Sequence, residues 1–234
     1  MSEMRHNIRL CSGPELSAAI LVGGAATRMG GVAKALLDVD GRSILDWLLA
    51  VLVPRFAEVL LVAKEAQPYG DICAAGHVPN PVTGGATLRL AQDALPGRSS
   101  LTGIHTALAN ASTEHVFITA CDTPFLRPAL VEALQARLRP EDDVVLPQKP
   151  DGYFEPLCAF YSRRCLPHIE KQLARDDHKI IRFFPKVRVN LLPPEALLAA
   201  DPALLSFQNA NTPDELRSLR QTAASFRRPP QEAP

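Results

Sequence analysis

Four glycines, an arginine and a lysine crowd into the stretch Leu21-Val22-Gly23-Gly24-Ala25-Ala26-Thr27-Arg28-Met29-Gly30-Gly31-Val32-Ala33-Lys34. Glycine lets a backbone approach a ligand closely and adopt positive φ. Successive exposed N–H groups can then form an anion-binding concavity. Arg28 and Lys34 add the fixed positive charge that a polyphosphate needs. The apolar run Ala18-Ala19-Ile20 just before reads as a buried strand, so the segment is a phosphate-gripping loop at a strand's carboxyl end. Two common phosphate loops do not fit it. Lys34 lies between Ala33 and Ala35, not in Gly-Lys-Ser/Thr, and the glycines come in pairs, not as Gly-x-Gly-x-x-Gly.

A second element is Val116-Phe117-Ile118-Thr119-Ala120-Cys121-Asp122-Thr123-Pro124-Phe125-Leu126. An apolar strand ends in an aspartate, and Pro124 biases Thr123 towards an extended conformation that fixes the carboxylate's direction. Magnesium is commonly held by one or two carboxylates with substrate phosphates and waters. Asp122 is therefore a candidate Mg²⁺ ligand; a cap for the helix that follows is the other reading. Near the end, Thr212-Pro213-Asp214-Glu215 is a capping box with proline at the first helical position. Asn209 and Asn211 have no part in that cap and, two apart on an extended segment, point to one side.

These motifs together resemble the nucleotidyltransferases of the molybdenum cofactor guanylyltransferase type. Their loop runs roughly Leu-Ala-Gly-Gly-x-x-x-Arg-Met-Gly-x-x-Asp-Lys, matched here at Leu21, Gly23, Gly24, Arg28, Met29, Gly30 and Lys34. Val22 is a minor departure, while Ala33 stands where the family usually has aspartate. The Cys121-Asp122-Thr123-Pro124-Phe125 element matches as well, and the resemblance spans Ala18 to about Leu219. It implies nucleotide binding by Leu21, Val22, Gly23, Gly24, Arg28, Gly30, Lys34, Asp93 and Asp122. Arg28 and Lys34 would be catalytic and Asp122 the metal ligand, while Asn209 and Asn211 would hold the acceptor. The segment Ser99-Ser100-Leu101-Thr102-Gly103 resembles the family's Gly-Pro-Leu-x-Gly, matching only Leu101 and Gly103. Asp93 upstream is the nearest counterpart of a nucleoside-contacting aspartate, although a solvated carboxylate at that place is an equal reading. Phe154-Glu155-Pro156-Leu157 also resembles a family strand, with Lys179, Arg182, Lys186 and Arg188 as basic residues nearby. Those charges read equally as a solvated face or as contacts to an acceptor phosphate.

The resemblance implies transfer of GMP from GTP to the terminal phosphate of molybdopterin, with Mg²⁺ and release of pyrophosphate. A phosphate monoester is already an anionic nucleophile, so no general base is required and catalysis consists of alignment and charge stabilisation. Gly23-Gly24 favours the guanylyl branch over cytidylyl relatives with Ala-Gly, since a missing Cβ leaves room for a purine amino group. The alternatives are a cytidylyl or sugar-phosphate nucleotidyltransferase, or a degenerate relative that binds nucleotide or cofactor without turnover. Partners beyond GTP and molybdopterin would be molybdoenzymes or cofactor-pathway proteins.

Composition is that of an ordinary globular chain: 234 residues, 47% hydrophobic and 21% charged, with 25 basic residues balancing 25 acidic ones. No global field favours nucleic acid or a membrane surface. Five cysteines, an odd number without a CxxC pair, argue for a reducing compartment, taken as the cytoplasm, and against a zinc site. The six histidines show no metal-binding spacing.

Apolar runs alternate between strand and helix patterns. Strands are predicted at 17–22, 58–63, around Val78-Pro79, and at 115–120, 143–146, 157–161 and 186–191. Helices are predicted at 43–53, 65–75, 103–110, 127–139, 163–175 and 212–220, with Ile44, Trp47, Leu48 and Val51 on the first helix's inner face. The alternation implies an α/β, three-layer architecture: a mostly parallel sheet with helices on both faces, a Rossmann-like nucleotidyltransferase fold. Ligands of such sheets bind beyond the strands' carboxyl ends. The expected organisation is one domain over 17–226, a flexible N-terminal extension (1–16) and a disordered tail (227–234).

Overall fold

The computed structural model describes residues 16–23, 28–29, 32–74, 86–97 and 99–226. Its seven-stranded sheet is built from β1 (Ser17–Leu21), β2 (Glu58–Ala63), β3 (Thr87–Gln92), β4 (His115–Ala120), β5 (Val144–Pro147), β6 (Cys158–Ser162) and β7 (Val189–Leu192). Their spatial order is β7-β5-β6-β4-β1-β2-β3. Only β6 runs against its neighbours, pairing antiparallel with both β4 and β5. The remaining pairings are parallel.

The central strands are buried on both faces, so they read as unbroken apolar runs. Ala18 and Ile20 of β1 enter one core, and Ala19 and Leu21 the other. The first core is closed by α1 (Ile44–Leu52), α2 (Tyr69–Ala74), α4 (Pro128–Arg137), α6 (Pro194–Ala200) and α7 (Pro213–Phe226). The second is closed by α3 (Ser100–Asn110) and α5 (Leu166–Leu173). The three layers predicted from the pattern are present.

Helix starts follow local chemistry. Ser43 and Asp46 form a capping box at α1: Asp46 N–H donates to Ser43 Oγ at 3.0 Å, and Ser43 N–H to Asp46 Oδ2 at 3.3 Å. Ser99 and Thr102 do the same for α3. That cap starts α3 at Ser100, ahead of the predicted Gly103, and gives Ser99 a structural use.

Several expectations shift. The sheet's third strand is Thr87–Gln92, an edge strand whose Thr87, Arg89 and Gln92 are exposed, so its hydrophobic signal is weak. The segment around Val78-Pro79 lies outside the described residues. In α1 the buried face is Ile44, Leu45, Leu48, Leu49 and Leu52. Trp47 sits on its flank, donating its indole N–H to Val39 O at 3.0 Å and meeting Phe125 edge-on at 5.6 Å. Helix α6 was not anticipated, and residues 180–186 form a 3₁₀ turn that delays β7 until Val189. Leu16, counted with the extension, is buried in the core. Residues 1–15 and 227–234 lie outside the described residues.

Candidate active site

Parallel pairing puts the ends of β1, β2, β3 and β4 on one edge of the sheet, and the chemistry gathers there. Past Leu21 the chain stays seated against β2, with Val22 N–H donating to Val62 O at 2.9 Å. Gly23 then runs close against the exit of β2: a Cβ there would lie 2.9 Å from Lys64 N and 3.2 Å from Ala63 Cα. Glycine at position 23 is thus demanded by the protein's own packing. The argument that its missing Cβ makes room for a purine is therefore not needed to explain it. Gly24 and Gly30 lie outside the described residues. Arg28–Met29 and Val32–Ala33 pair as a short antiparallel ladder that returns the chain to a 3₁₀ turn at Lys34–Leu36.

That turn buries Lys34, which is only 6% exposed. Its Nζ lies 2.5 Å from Asn211 Oδ1 and 3.4 Å from Asp122 Oδ2. The lysine of the first loop and the carboxylate of the second element therefore meet. Asp122 follows β4, where Cys121 N–H donates to Leu21 O at 3.2 Å and joins the exits of β1 and β4. It does not cap a helix: α4 begins at Pro128, with Arg127 as its uncapped N-cap. From the C-terminal side, Ala210 N–H donates to Asp122 O at 2.9 Å. Thr212 and Glu215 form the predicted cap of α7, with Glu215 Oε2 also accepting from Asn211 N–H at 2.6 Å. Both asparagines are exposed and flank buried Ala210, and Asn211 turns its amide oxygen to Lys34.

Asp93, at the exit of β3, is no solvated carboxylate. It is 6% exposed, ion-paired with Lys64 Nζ at 3.0 Å, and accepts from Thr106 Oγ1 and Leu95 N–H, each at 3.1 Å. Lys64 and Thr106 were not singled out from sequence, although Lys64's place just past β2 was the available signal. Tyr69, also missed, donates its hydroxyl to Val22 O at 3.3 Å and braces the loop's root. Burial, with the Cys121 sulfur as a lesser cause, pushes the Tyr69 phenol up. Burial and then Asp122's charge push the Cys121 thiol up to about 12. Both groups stay neutral beside any polyanion.

The basic stretch is dispersed. Arg182 pairs with Asp177 at 3.4 Å, and Arg188 N–H binds Asp143 Oδ2 at the amino-terminal edge of β5, the far side of the sheet from Asp122. Glu155 pairs with Lys149 at 2.7 Å, and this hydrogen bond is the main cause of Lys149's raised pKa.

Among the described residues, no cluster of three or more His, Cys, Asp or Glu could hold a metal alone. Asp122 fits the sparser requirement of Mg²⁺ that arrives on a nucleotide, with phosphates and water completing the shell. A carboxylate for the metal and a buried ammonium at one strand edge can bind a nucleoside triphosphate and stabilise charge on its phosphates.

The family model described as the MobA-like NTP transferase domain matches residues 18–189. The molybdenum cofactor guanylyltransferase of Desulfosudis oleivorans is 38% identical over 197 residues, 84% of this chain and 90% of that protein. Among solved structures, molybdopterin-guanine dinucleotide biosynthesis protein A of Archaeoglobus fulgidus aligns with a TM-score of 0.71 at 25% identity. It covers 89% of this chain and 99% of that one. The 4-diphosphocytidyl-2C-methyl-D-erythritol synthase of Anaerococcus prevotii, at 16% identity and TM-score 0.63, shares the fold. With the family model matching residues 18–189 and a 38%-identical relative aligned over 84% of its length, the chain belongs to the MobA-like NTP transferase family.

Proposed function

We propose that the protein transfers GMP from GTP to the terminal phosphate of molybdopterin and releases pyrophosphate. The observation that carries this is the meeting of Lys34 and Asp122, 3.4 Å apart although 88 residues separate them in sequence. The name of the 38%-identical relative supports the choice of GTP and molybdopterin.

An acceptor phosphate oxygen attacks the α-phosphorus of GTP, the bond to the bridging oxygen breaks, and that electron pair leaves on pyrophosphate. The second ionisation of a phosphate monoester has a pKa of about 6, so no side chain need remove a proton. Backbone amides from Gly23 onward hold the β- and γ-phosphates. Lys34, with Arg28, offsets the charge that grows on the leaving group, and Asp122 would hold Mg²⁺, which when bound polarises the phosphoryl oxygens. Half-buried Lys64, whose backbone adjoins Gly23, and its buried partner Asp93 shape the nucleoside end. Asn209, exposed at the rim, is left for the acceptor. Such positioned charges contribute most where water is excluded. A cytoplasmic location is proposed with this function.

Purified protein incubated with Mg²⁺, molybdopterin and each nucleoside triphosphate tests the proposal. Guanylylated product from GTP alone supports it, product from CTP alone moves the chain to the cytidylyl branch, and nucleotide binding without product indicates a degenerate relative. Lys34→Ala or Asp122→Ala should cut turnover at least about a hundredfold.

A further inference from the structure

We infer that Asn211 is a positioning residue for Lys34, not an acceptor ligand: its amide oxygen sets the buried ammonium in place and leaves Asp122 available for the metal. The inference rests on the proposed role of Lys34 as a phosphate ligand. An ammonium has three N–H donors and no acceptor, and it is costly to bury unless hydrogen-bonded. Lys34 is 6% exposed, and Ala33 before it supplies no polar side chain. Among the described residues its side-chain partners are Asn211 Oδ1 at 2.5 Å and Asp122 Oδ2 at 3.4 Å. A charge-assisted N–O contact normally closes to about 2.7–2.9 Å. The carboxylate is therefore the loose partner and the amide the tight one.

The chemistry of the tight partner matters. A neutral amide fixes the ammonium without cancelling its charge, so the full positive charge faces the phosphates. A carboxylate in the same position would neutralise the lysine. If Lys34 were seated tightly on Asp122, ammonium and metal would also compete for one group. Asn211 is itself held from both sides. Its own N–H donates to Glu215 Oε2 at 2.6 Å, and the preceding Ala210, fully buried, is tied to the carbonyl of Asp122 at 2.9 Å. Both asparagines of the C-terminal motif are exposed, and the contact with Lys34 assigns Asn211 to the nucleotide side and leaves Asn209 for the acceptor side.

The test combines calorimetric binding of a non-hydrolysable GTP analogue with Mg²⁺, in the absence of acceptor, with steady-state kinetics. Asn211→Ala should weaken analogue binding and lower kcat, each by about tenfold or more, with the acceptor KM unchanged. Asn211→Asp should fold normally and lose analogue binding as badly, because it neutralises the lysine. Asn209→Ala should leave analogue binding intact and raise the acceptor KM. Asn211→Ala with wild-type analogue affinity, or with only its acceptor KM raised, overturns the assignment, as does Asn211→Asp that binds like wild type. If the wild type binds the analogue yet yields no product, the transfer reaction falls. The difference in analogue affinity between wild type and Asn211→Ala still decides the role of Asn211.

Discussion

Replacing Gly23 by alanine tests whether the phosphate loop's root is as tightly docked as its surroundings indicate. The new Cβ would sit 2.9 Å from Lys64 N, 3.2 Å from Ala63 Cα and 3.4 Å from Ala63 C, all backbone atoms of β2's exit. Comfortable non-bonded separations are about 3.5–4.0 Å, so the strand exits must part by roughly half an ångström. Neither side can yield easily, because Val22 N–H is bonded to Val62 O and Asp93 N–H to Ala63 O on β2's other flank. Overpacking of this kind costs about 1–3 kcal/mol, or roughly 2–12 °C in Tm for a chain of this size. Gly103→Ala is the internal control. Its nearest neighbours would be the Leu21 methyls at 3.2 Å, the end of a side chain that has to give by a few tenths of an ångström, and alanine gains about 1 kcal/mol of helix propensity over glycine. Thermal melts should show a clear drop for Gly23→Ala and little change for Gly103→Ala. The GTP KM should rise with the first, because the loop moves with its root. A Gly23→Ala protein that melts like wild type, or below which Gly103→Ala falls, would refute the packing argument.

Two further perturbations probe the rest of the sheet. Glu58, buried at the start of β2, accepts from Ser17 Oγ, Ser112 N–H and Ser112 Oγ and pairs with Arg89. Burial raises its pKa, but these hydrogen bonds and the Arg89 charge outweigh it and leave the carboxyl below its ordinary 4.5. A depressed carboxylate contributes stability that is present above its unfolded pKa and lost as pH falls through the folded one. Glu58→Gln should therefore lower Tm at neutral pH and flatten the decline below about pH 4.5; parallel Tm–pH curves would contradict this. Thr119 Oγ1 on β4 is buried and has no hydrogen-bond partner among the described residues. Thr119→Val removes that burdened hydroxyl at nearly constant shape and should raise stability by about 1 kcal/mol in a denaturant titration; a loss of similar size would indicate a partner for the hydroxyl.

What the sequence disclosed follows from where each signal resides. Strands β2 and β4 were bounded to the residue, because strands buried on both faces are unbroken apolar runs flanked by polar residues. Strand β3 was missed because an edge strand spends half its residues on solvent. The i, i+3, i+4, i+7 spacing of Ile44, Trp47, Leu48 and Val51 puts Trp47 on α1's inner face, whereas its indole nitrogen draws it aside to Val39 O. In the site, Lys34 and Asp122 were legible because each follows a strand whose carboxyl end must share one edge. The pairing of Lys34 with Asn211 joins residues 177 apart, and no local pattern records it. The same holds for Asp93, whose partner Lys64 lies on a neighbouring strand's exit.

The sheet order also has a consequence for synthesis. Strand β1 leaves the ribosome first yet lies at the sheet's centre, flanked by residues 58–62 on one side and 116–120 on the other. At about 5–20 residues per second, roughly 5–20 s separate its emergence from that of its second neighbour. During that interval its unfilled flank is an open hydrogen-bonding edge, a hazard that nascent-chain chaperones exist to cover. Lys34 waits longer still, until translation passes residue 211. The contact of Lys34 with Asn211 therefore forms only once both ends of this 177-residue separation have been made.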